Sequence, residues 1–315
     1  MKAIILEQSG GAENLKLADL PVPQLQRDEV LIKVKAISIN PVDIKTRKGK
    51  SLYRELKSKY PQIILGWDVS GIIKEVHKDV TEFKPGDEVF GMINFPGHGK
   101  AYAEYAAAPA LHLARKPANI SHEEAAAATL AALTAWQALV KKAKIKKGQK
   151  ILIHAAAGGV GHYAVQIAKY GGAYVIGTSS AENKDFVVSL GANEHIDYKK
   201  QKLEDTVKDI DFVLDSIGGD NVDSSIAVTK KGGTVISLPS GSLSDATVEK
   251  AKQKGINCYF FLVESNKDDM QQIAALLEKG IIRSHVSQTF PFDKMKEAHL
   301  QIETGRTKGK IVVTI

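Results

Sequence analysis

The stretch that decides the fold is ILIHAAAGGVGH, residues 151–162. It begins with a short apolar run of the kind that forms a buried strand. Gly158, Gly159 and Gly161 then predict a tight turn that leads directly into a helix. Main-chain N–H groups at such a helix start can bind an anion, and the helix dipole favours negative charge there. The stretch therefore predicts a phosphate-binding strand–turn–helix.

The three glycines are a weak signal when taken alone. In a dinucleotide-binding turn, Gly158 would allow close approach of a phosphate and Gly161 would allow close helix–strand packing. The first glycine of the usual G-x-G-x-x-G pattern is Ala156 here. An isolated match of this kind is often only a structural turn, so the surrounding pattern has to support it.

The residues after the turn supply that support. Residues 163–170 and 183–190 have helical patterns, and 174–177, 212–215 and 234–238 have strand patterns. Strands that alternate with helices in this way imply a parallel sheet with helices on both faces. The sequence therefore predicts a doubly wound α/β domain that binds a dinucleotide.

The two ends of the chain have a different pattern. The first third is rich in short strands and turns, which favours an irregular β-barrel. Residues 310–315 predict a strand that must pair, and the N-terminal β-region is the expected partner. From residue 121, where Ser121 and Glu124 form a capping-box pattern, an alanine-rich helical segment runs to about residue 144. We therefore predict a β-rich domain of residues 1–120 completed by 264–315, and a nucleotide-binding domain of residues 121–263.

Composition excludes several classes of protein. Cys258 is the only cysteine, which excludes an internal disulfide and a Cys-rich zinc site and suits a cytoplasmic location. No apolar run approaches the roughly 20 residues of a membrane helix, so no membrane partner is expected. The net charge of +7 permits a nucleic-acid partner. The lysines are scattered, however, and we expect a solvated surface instead.

The end of the second predicted strand indicates which dinucleotide binds. Sites that prefer NAD carry an acidic residue there, which holds the ribose hydroxyls. This chain has the hydroxyl residues Thr178, Ser179 and Ser180, followed by Lys184. Hydroxyls and a lysine can hold a 2′-phosphate, and the nearby Glu182 is explained as a helix-start carboxylate. The pattern predicts NADPH as the cofactor.

Metal-binding patterns are missing from the sequence. It has no Cys-x-x-Cys and no His-Glu-x-x-His spacing, so we expect no metal site. A hydride acceptor would then have to react without a Lewis acid. Substrates that are already electron-poor, such as quinones and α,β-unsaturated carbonyl compounds, fit that requirement.

Many segments together resemble the zinc-free, zeta-crystallin-like quinone oxidoreductases of the medium-chain dehydrogenase/reductase superfamily. The resemblance covers nearly the whole chain. Its segments are NPVD (40–43), RKG (47–49), GWDVSG (66–71), GDEVFG (86–91), AEY (103–105), LTAWQAL (133–139), AAGGVG (156–161), LGA (190–192), IDY (196–198) and GKIVV (309–313).

The resemblance implies a GroES-like β-barrel catalytic domain, a Rossmann domain, an active site in the cleft between them, and a homodimer. It implies that Asn40 lies beside the nicotinamide and the substrate carbonyl, with Asp43 as a less certain catalytic candidate. Tyr53 is a candidate proton donor, with water as the alternative. The implied cofactor-binding residues are Asn40, Thr134, Gly158, Gly159, Val160, Gly161, Thr178, Ser179, Ser180, Lys184, Tyr198, Ser216, Leu238, Pro239, Ser240, Phe261, Leu262, Lys308 and Lys310.

We therefore expect hydride transfer from NADPH to a quinone, in which Asn40 donates a hydrogen bond to the carbonyl oxygen. One such bond contributes roughly 2.7–4 kcal/mol in comparable oxyanion sites. An alkenal or enone reductase is the alternative within the same class of enzyme. A non-catalytic NADPH-binding sensor or nucleic-acid-binding protein is the alternative from another class.

Overall fold

The computed structural model describes residues 1–239, 241 and 243–315. Contacts divide the chain into unit 1, Met1–Leu133 with Glu264–Ile315, and unit 2, Thr134–Val263. The strands are β1 (Lys2–Leu6), β2 (Leu15–Asp19), β3 (Glu29–Ser38), β4 (Ile63–Ile64), β5 (Asp68–Val76), β6 (Glu88–Met92), β7 (Tyr105–Pro109), β8 (Ala114–Arg115), β9 (Lys150–Ile153), β10 (Tyr174–Ser179), β11 (Glu194–Asp197), β12 (Ile210–Asp215), β13 (Thr229–Ser237), β14 (Asn257–Phe260), β15 (Val286–Pro291) and β16 (Lys310–Thr314). The α-helices are α1 (Pro41–Arg47), α2 (Tyr53–Lys59), α3 (His122–Ala127), α4 (Leu130–Trp136), α5 (Gly159–Tyr170), α6 (Lys184–Ser189), α7 (Leu203–Thr206), α8 (Asp220–Val228), α9 (Asp245–Gln253), α10 (Lys267–Glu278) and α11 (Met295–Glu303).

Unit 2 is built on a parallel sheet with the strand order β11-β10-β9-β12-β13-β14. Every neighbouring pair in this sheet is parallel. The order reverses at β9, because the chain moves from β9 to β10 on one side and later to β12 on the other. Ligands of such sheets bind at the carboxyl ends of the strands around this reversal. The predicted doubly wound α/β fold is confirmed.

One face of this sheet forms a continuous apolar core. Leu152 of β9 lies beside Ile176 of β10 and Val213 of β12 in the strand register. These side chains are buried in one cluster with Val222 and Ile226 of α8. Burial of apolar surface, at roughly 25 cal/mol per Å², is what holds the helix on the sheet.

Unit 2 contains elements that the sequence patterns did not predict. They include the edge strands β11 and β14 and the helices α7, α8 and α9. Both edge strands are four residues long and mix polar with apolar side chains. An edge strand is stabilised by pairing with its neighbour, and a pattern this short carries little periodic signal.

Unit 1 contains a mostly antiparallel sheet that includes the C-terminal strand, and only its pair β15–β16 is parallel among the described residues. Its strand order is β15-β16-β3-β5-β6-β8, and β7 also pairs with β3. The C-terminal strand β16 is antiparallel to β3, with Val312 opposite Ser38. The predicted pairing of the C-terminal strand with the N-terminal β-region is therefore confirmed.

The alanine-rich segment forms three helical pieces instead of one helix. Ser121 and Glu124 form the predicted capping box at the start of α3. At the break between α3 and α4 the Thr129 hydroxyl donates to the Ala126 carbonyl, and the Leu130 amide donates to the Asp68 carboxylate. A π-helix, Gln137–Lys142, follows α4. The contacts place α3 in unit 1, whereas the sequence analysis assigns it to the nucleotide domain.

Candidate functional site

The glycine turn of unit 2 has the geometry expected of a tight strand–turn–helix. The chain leaves β9 through Ala155, which has a positive φ of 50°, and α5 begins at Gly159. A Cβ at Gly161 would lie 2.1 Å from the Ala155 carbonyl oxygen, so only glycine fits this position. A Cβ at Gly158 would meet the same oxygen at 3.2 Å. Amides in the first turn of a helix have no intrahelical acceptor, and Gly159, Val160 and Gly161 occupy that turn.

Three hydroxyl residues lie together at the carboxyl end of β10. Thr178, Ser179 and Ser180 are all buried. The Thr178 hydroxyl lies 3.1 Å from Nδ1 of His154, and the Ser180 hydroxyl accepts a hydrogen bond from the Asn183 side chain at 3.1 Å. Burial lowers the pKa of His154, so the neutral imidazole supports this end of the strand.

Lys184 and Tyr198 flank these hydroxyl residues. Lys184 begins α6 and is exposed. Tyr198 follows β11, is 60% exposed, and its amide donates to the Ser179 carbonyl at 3.4 Å. The carboxylate of Glu182 is exposed in the short 3-10 turn before α6.

His195 is a member of this group that the sequence analysis missed. Its Nε2 lies 2.8 Å from the Ser179 hydroxyl oxygen. It was missed because β11 was not recognised as a strand. The pairing of Gly177 in β10 with His195 in β11 brings the imidazole to the hydroxyl cluster.

The next strands bring further predicted residues to the same edge of the sheet. Ser216 follows β12, and its buried hydroxyl oxygen has no hydrogen-bond partner among the residues that the structure describes. The neighbouring Asp215 accepts from the amides of Ile217 and Gly218, which shapes the turn. The Leu238 amide donates to the Asp215 carbonyl at 2.8 Å. Ser240 lies outside the described residues.

The remaining predicted residues of unit 2 range from buried to exposed. Thr134 is buried in α4, and Pro239 follows Leu238 at the end of β13. Phe261 follows β14, is buried, and donates its amide to the Ser237 carbonyl. Leu262 is 43% exposed. The contacts of these side chains with a cofactor remain predictions.

The residues of unit 2 fit a dinucleotide. Gly158 and Gly161 make a turn that side chains would fill, the orphaned Ser216 hydroxyl lies at the strand ends, and a lysine lies beside the hydroxyl cluster. A diphosphate needs the turn, a ribose can bond to the Ser216 hydroxyl, and a ribose phosphate needs the lysine.

In unit 1 a buried polar cluster surrounds Asn40. The Asn40 amide nitrogen donates to Asp68 at 2.7 Å, and its oxygen accepts from the Lys310 ammonium at 2.5 Å. Lys310 also donates to the Ile39 carbonyl at 3.1 Å. Lys310 is 3% exposed, so the structure places it in a different role from the predicted phosphate contact.

The side chain of Asn40 is enclosed by these partners. It is 1% exposed, and its second amide hydrogen has only a long contact of 3.5 Å with the Ser38 carbonyl. Its main-chain amide donates to Asp43 at 2.7 Å, which helps to begin α1. The second hydrogen is therefore the part of the Asn40 amide that is left for the predicted donation to a substrate carbonyl.

Asp43 is fully buried and connects this cluster to a second group. Burial raises the pKa of Asp43 to about 7, while the Asn40 amide opposes that shift. The Tyr102 hydroxyl adjoins Asp43 and lies 3.0 Å from Nε2 of His299. Arg47 is buried nearby and pairs with Glu303.

Two predicted residues of unit 1 lie outside this cluster. Tyr53 begins α2, is half-buried, and donates its amide to the Lys50 carbonyl. Lys308 is half-buried in the turn before β16, where its charge helps to lower the pKa of His285. The roles of Tyr53 as a proton donor and of Lys308 in cofactor binding remain predictions.

The described residues do not fit a bound zinc ion. Within residues 1–239, 241 and 243–315, no three His, Cys, Asp or Glu side chains form a group that could hold a metal ion. The buried carboxylates Asp43 and Asp68 share their surroundings with the Lys310 ammonium. A resident cation there disfavours a second positive charge.

Over the same part of the chain, no helix combines the length and the hydropathy needed to cross a bilayer.

The fold and the two sites define a two-domain dehydrogenase, and comparisons with known proteins agree. Residues 26–118 match the family Alcohol dehydrogenase GroES-like domain, and residues 190–313 match Zinc-binding dehydrogenase. A spinach protein named Quinone-oxidoreductase homolog, chloroplastic, is 34% identical over 96% of this chain and 95% of its own length. An Arabidopsis protein named NADPH-dependent alkenal/one oxidoreductase, chloroplastic, is 36% identical over 99% of this chain and 79% of its own length.

Solved structures give the same family. The quinone oxidoreductase from Coxiella burnetii has a TM-score of 0.94 and 37% identity, covering 100% of this chain and 99% of that one. The Escherichia coli quinone oxidoreductase complexed with NADPH has a TM-score of 0.88 and 28% identity, with both chains fully covered. The chain belongs to the quinone oxidoreductase family of the medium-chain dehydrogenase/reductase superfamily. Unit 1 is its GroES-like domain and unit 2 its Rossmann domain.

Proposed function

We propose that this protein is an NADPH-dependent oxidoreductase that transfers a hydride to a quinone without a metal ion. The observation that carries the proposal is the group of hydroxyl residues at the end of β10, with Lys184 beside it. This group supplies hydrogen bonds and a positive charge where a 2′-phosphate would lie. The relatives named as quinone oxidoreductases, and the Escherichia coli structure with NADPH, support the same choice.

Each unit contributes different chemistry to the proposed reaction. The cofactor supplies the hydride. In unit 2, the first-turn amides of α5 bind the diphosphate, and Ser179, Ser180 and Lys184 bind the 2′-phosphate. In unit 1, Lys310 and Asp68 hold the Asn40 amide in one orientation from opposite sides. The second hydrogen of that amide is the group we assign to the substrate carbonyl.

An alkenal or enone reductase is the second candidate. It is favoured by the Arabidopsis relative, which is named as an NADPH-dependent alkenal/one oxidoreductase. A quinone carbon and the β-carbon of an enone are both hydride acceptors conjugated to a carbonyl, so the same residues could serve either substrate.

Steady-state turnover with NADPH and NADH, measured on 1,4-naphthoquinone and on a 2-alkenal, tests both candidates. We expect a higher kcat/KM with NADPH than with NADH, and a higher value for the quinone than for the alkenal. A higher value for the alkenal would select the second candidate. NADPH binding with no turnover of either acceptor would favour a non-catalytic sensor.

We also propose that the protein is a homodimer assembled through β14. In the described part of the chain β14 is the last strand of its sheet, so one of its edges has no partner. Phe260 in this strand is 38% exposed. An unpaired strand edge with apolar side chains is a template for pairing with a second copy.

The cytoplasm remains our proposed location for the chain. The lone cysteine, Cys258, is not in a disulfide, which suits a reducing compartment. Fractionation of source cells with antibodies against the protein would test this, since recovery in an organelle would contradict it.

A further inference from the structure

His195 lies among the residues that we assign to the 2′-phosphate, although nothing in the sequence pattern singles it out. Its Nε2 lies 2.8 Å from the Ser179 hydroxyl oxygen. Tyr198, three residues further on, donates its amide to the Ser179 carbonyl. The half-buried imidazole therefore adjoins one of the hydroxyls that would meet the phosphate.

Whether Nε2 of His195 carries a proton decides where the Ser179 hydroxyl proton points. A serine hydroxyl has one proton and can accept two hydrogen bonds. In the structure that proton has two acceptors within reach, the Ser180 carbonyl at 3.2 Å and Nε2 of a His195 that is protonated only on Nδ1. A protonated imidazole can only donate. Ser179 then accepts from His195, and its own proton is available to an oxyanion.

The charges around His195 make it responsive to an anion. The ionisable groups that act on it are Asp197 on its own strand and Lys184 on α6. Burial lowers the pKa of His195; Asp197 opposes this shift and Lys184 adds to it. One oxygen of Asp197 is engaged by the Lys199 amide at 3.1 Å. A phosphate dianion beside Lys184 and Ser179 would offset both the burial and the lysine charge.

We propose that His195 is a specificity-determining residue, which recognises the 2′-phosphate of NADPH in its protonated form through Ser179. This inference rests on the proposed NADPH-dependent function and adds a regulation to it. Binding takes up one proton from solvent, and dissociation releases it. NADH has a hydroxyl in place of the phosphate and would gain nothing from the imidazolium.

The sign of the pH dependence follows from this linkage. The pKa of His195 is lowered in the free protein and rises in the complex, so the complex binds more protons. The advantage of the phosphate is largest at low pH and is lost as pH rises through the pKa of the complex. Each unit by which the pKa rises corresponds to about tenfold in affinity.

Calorimetric binding of 2′,5′-ADP and 5′-AMP tests the inference without turnover. The two probes share adenosine and the 5′-phosphate, and they differ in the 2′-phosphate that His195 would recognise. Relative to the same ratio in a variant without this imidazole, we expect the affinity ratio of 2′,5′-ADP to 5′-AMP to fall by up to about tenfold for the unmodified protein between about pH 6 and about pH 8. The phosphate itself titrates near pH 6, with the opposite trend, but it does so equally with every variant.

Two variants separate His195 from other effects. His195→Gln retains hydrogen-bonding atoms without a titrating charge, so its affinity ratio should lack the fall seen in the unmodified protein. His77→Gln changes another half-buried histidine, in unit 1, and should follow the unmodified protein. Identical profiles for the unmodified protein and His195→Gln would overturn the inference.

A second measurement needs no variant. Titration of the imidazole nitrogen resonances of the unmodified protein should show the His195 pKa rising by about one unit when 2′,5′-ADP is added. An unchanged pKa would overturn the inference while leaving the proposed function intact. Equal affinity for 2′,5′-ADP and 5′-AMP at every pH would instead overturn the cofactor proposal, and His195 with it.

Discussion

At the scale of single residues, the main feature of unit 1 is the balance between its buried positive and negative side chains. Lys310 faces two buried carboxylates, Asp43 and Asp68, and Arg47 is paired with Glu303. Burial raises the pKa of both carboxyl groups, to about 7 for Asp43. We expect Asp43 to be the group that keeps its proton, because Asp68 accepts hydrogen bonds from the Asn40 and Leu130 amides.

This assignment predicts how stability depends on pH. An aspartate in an unfolded chain has a pKa of about 3.9. Because the pKa is raised in the folded state, ionisation of Asp43 in the unfolded chain reduces stability as pH rises from about 4 to about 7. Asp43→Asn has no carboxyl proton at this position. The free energy of unfolding of the variant, minus that of the unmodified protein, should therefore increase between about pH 4 and about pH 7 and stay constant above that range.

Urea denaturation at a series of pH values measures the difference. Since about 1.4 kcal/mol corresponds to each unit of pKa shift, the gain should reach a few kcal/mol. Asp19→Asn, at the exposed end of β2, is the matched control and should show no such trend. A constant difference between Asp43→Asn and the unmodified protein from pH 4 to pH 7 would contradict the assignment.

At the scale of elements, the strand–turn–helix from β9 to α5 uses one glycine for packing and another for the approach of the ligand. Gly161 has no space for a Cβ, because the Ala155 carbonyl would lie 2.1 Å away. Gly158 is the residue just before α5 and has ordinary backbone angles, and its Cβ would be only slightly crowded. The two glycines should therefore fail in different ways when each is replaced by alanine.

We expect Gly161→Ala to lose both stability and NADPH binding, since α5 must shift away from β9. Overpacking of this kind typically costs 1–3 kcal/mol. Gly158→Ala should unfold within about 1 kcal/mol of the unmodified protein but bind NADPH at least tenfold more weakly, because the methyl group faces the phosphate. Thermal denaturation and calorimetry read the two effects separately. Equal stability losses in the two variants would refute this division of roles.

At the scale of the whole molecule, the proposed dimer depends on one strand edge. Phe260→Glu places a charge on the exposed side chain of β14, which is a known way to prevent edge pairing. Sedimentation velocity should show a dimer for the unmodified protein and a monomer of about half its mass for the variant. Lys252→Glu, on α9, changes charge away from the strand and should remain dimeric. A dimeric Phe260→Glu protein would exclude β14 as the interface.

Much of the architecture was predictable because it depends on local or periodic features. The glycine turn, the alternating strands and helices, and the capping box at Ser121 are each encoded within a few neighbouring residues. The family resemblance added the GroES-like domain. The edge strands β11 and β14 were not predictable from pattern, because each is stabilised mainly by the strand beside it.

The sequence by itself determined a doubly wound nucleotide-binding fold, a helix start able to bind phosphate, and a carboxylate-free end of β10, since these follow from residue type and spacing along the chain. Only the tertiary structure decided that Lys310 bonds to Asn40 across 270 residues of chain. It alone brought His195 to Ser179 and buried Asp43 near Asp68 and Lys310. Hydrogen bonds between distant segments and the loss of solvent arise from packing, which no local pattern of residues records.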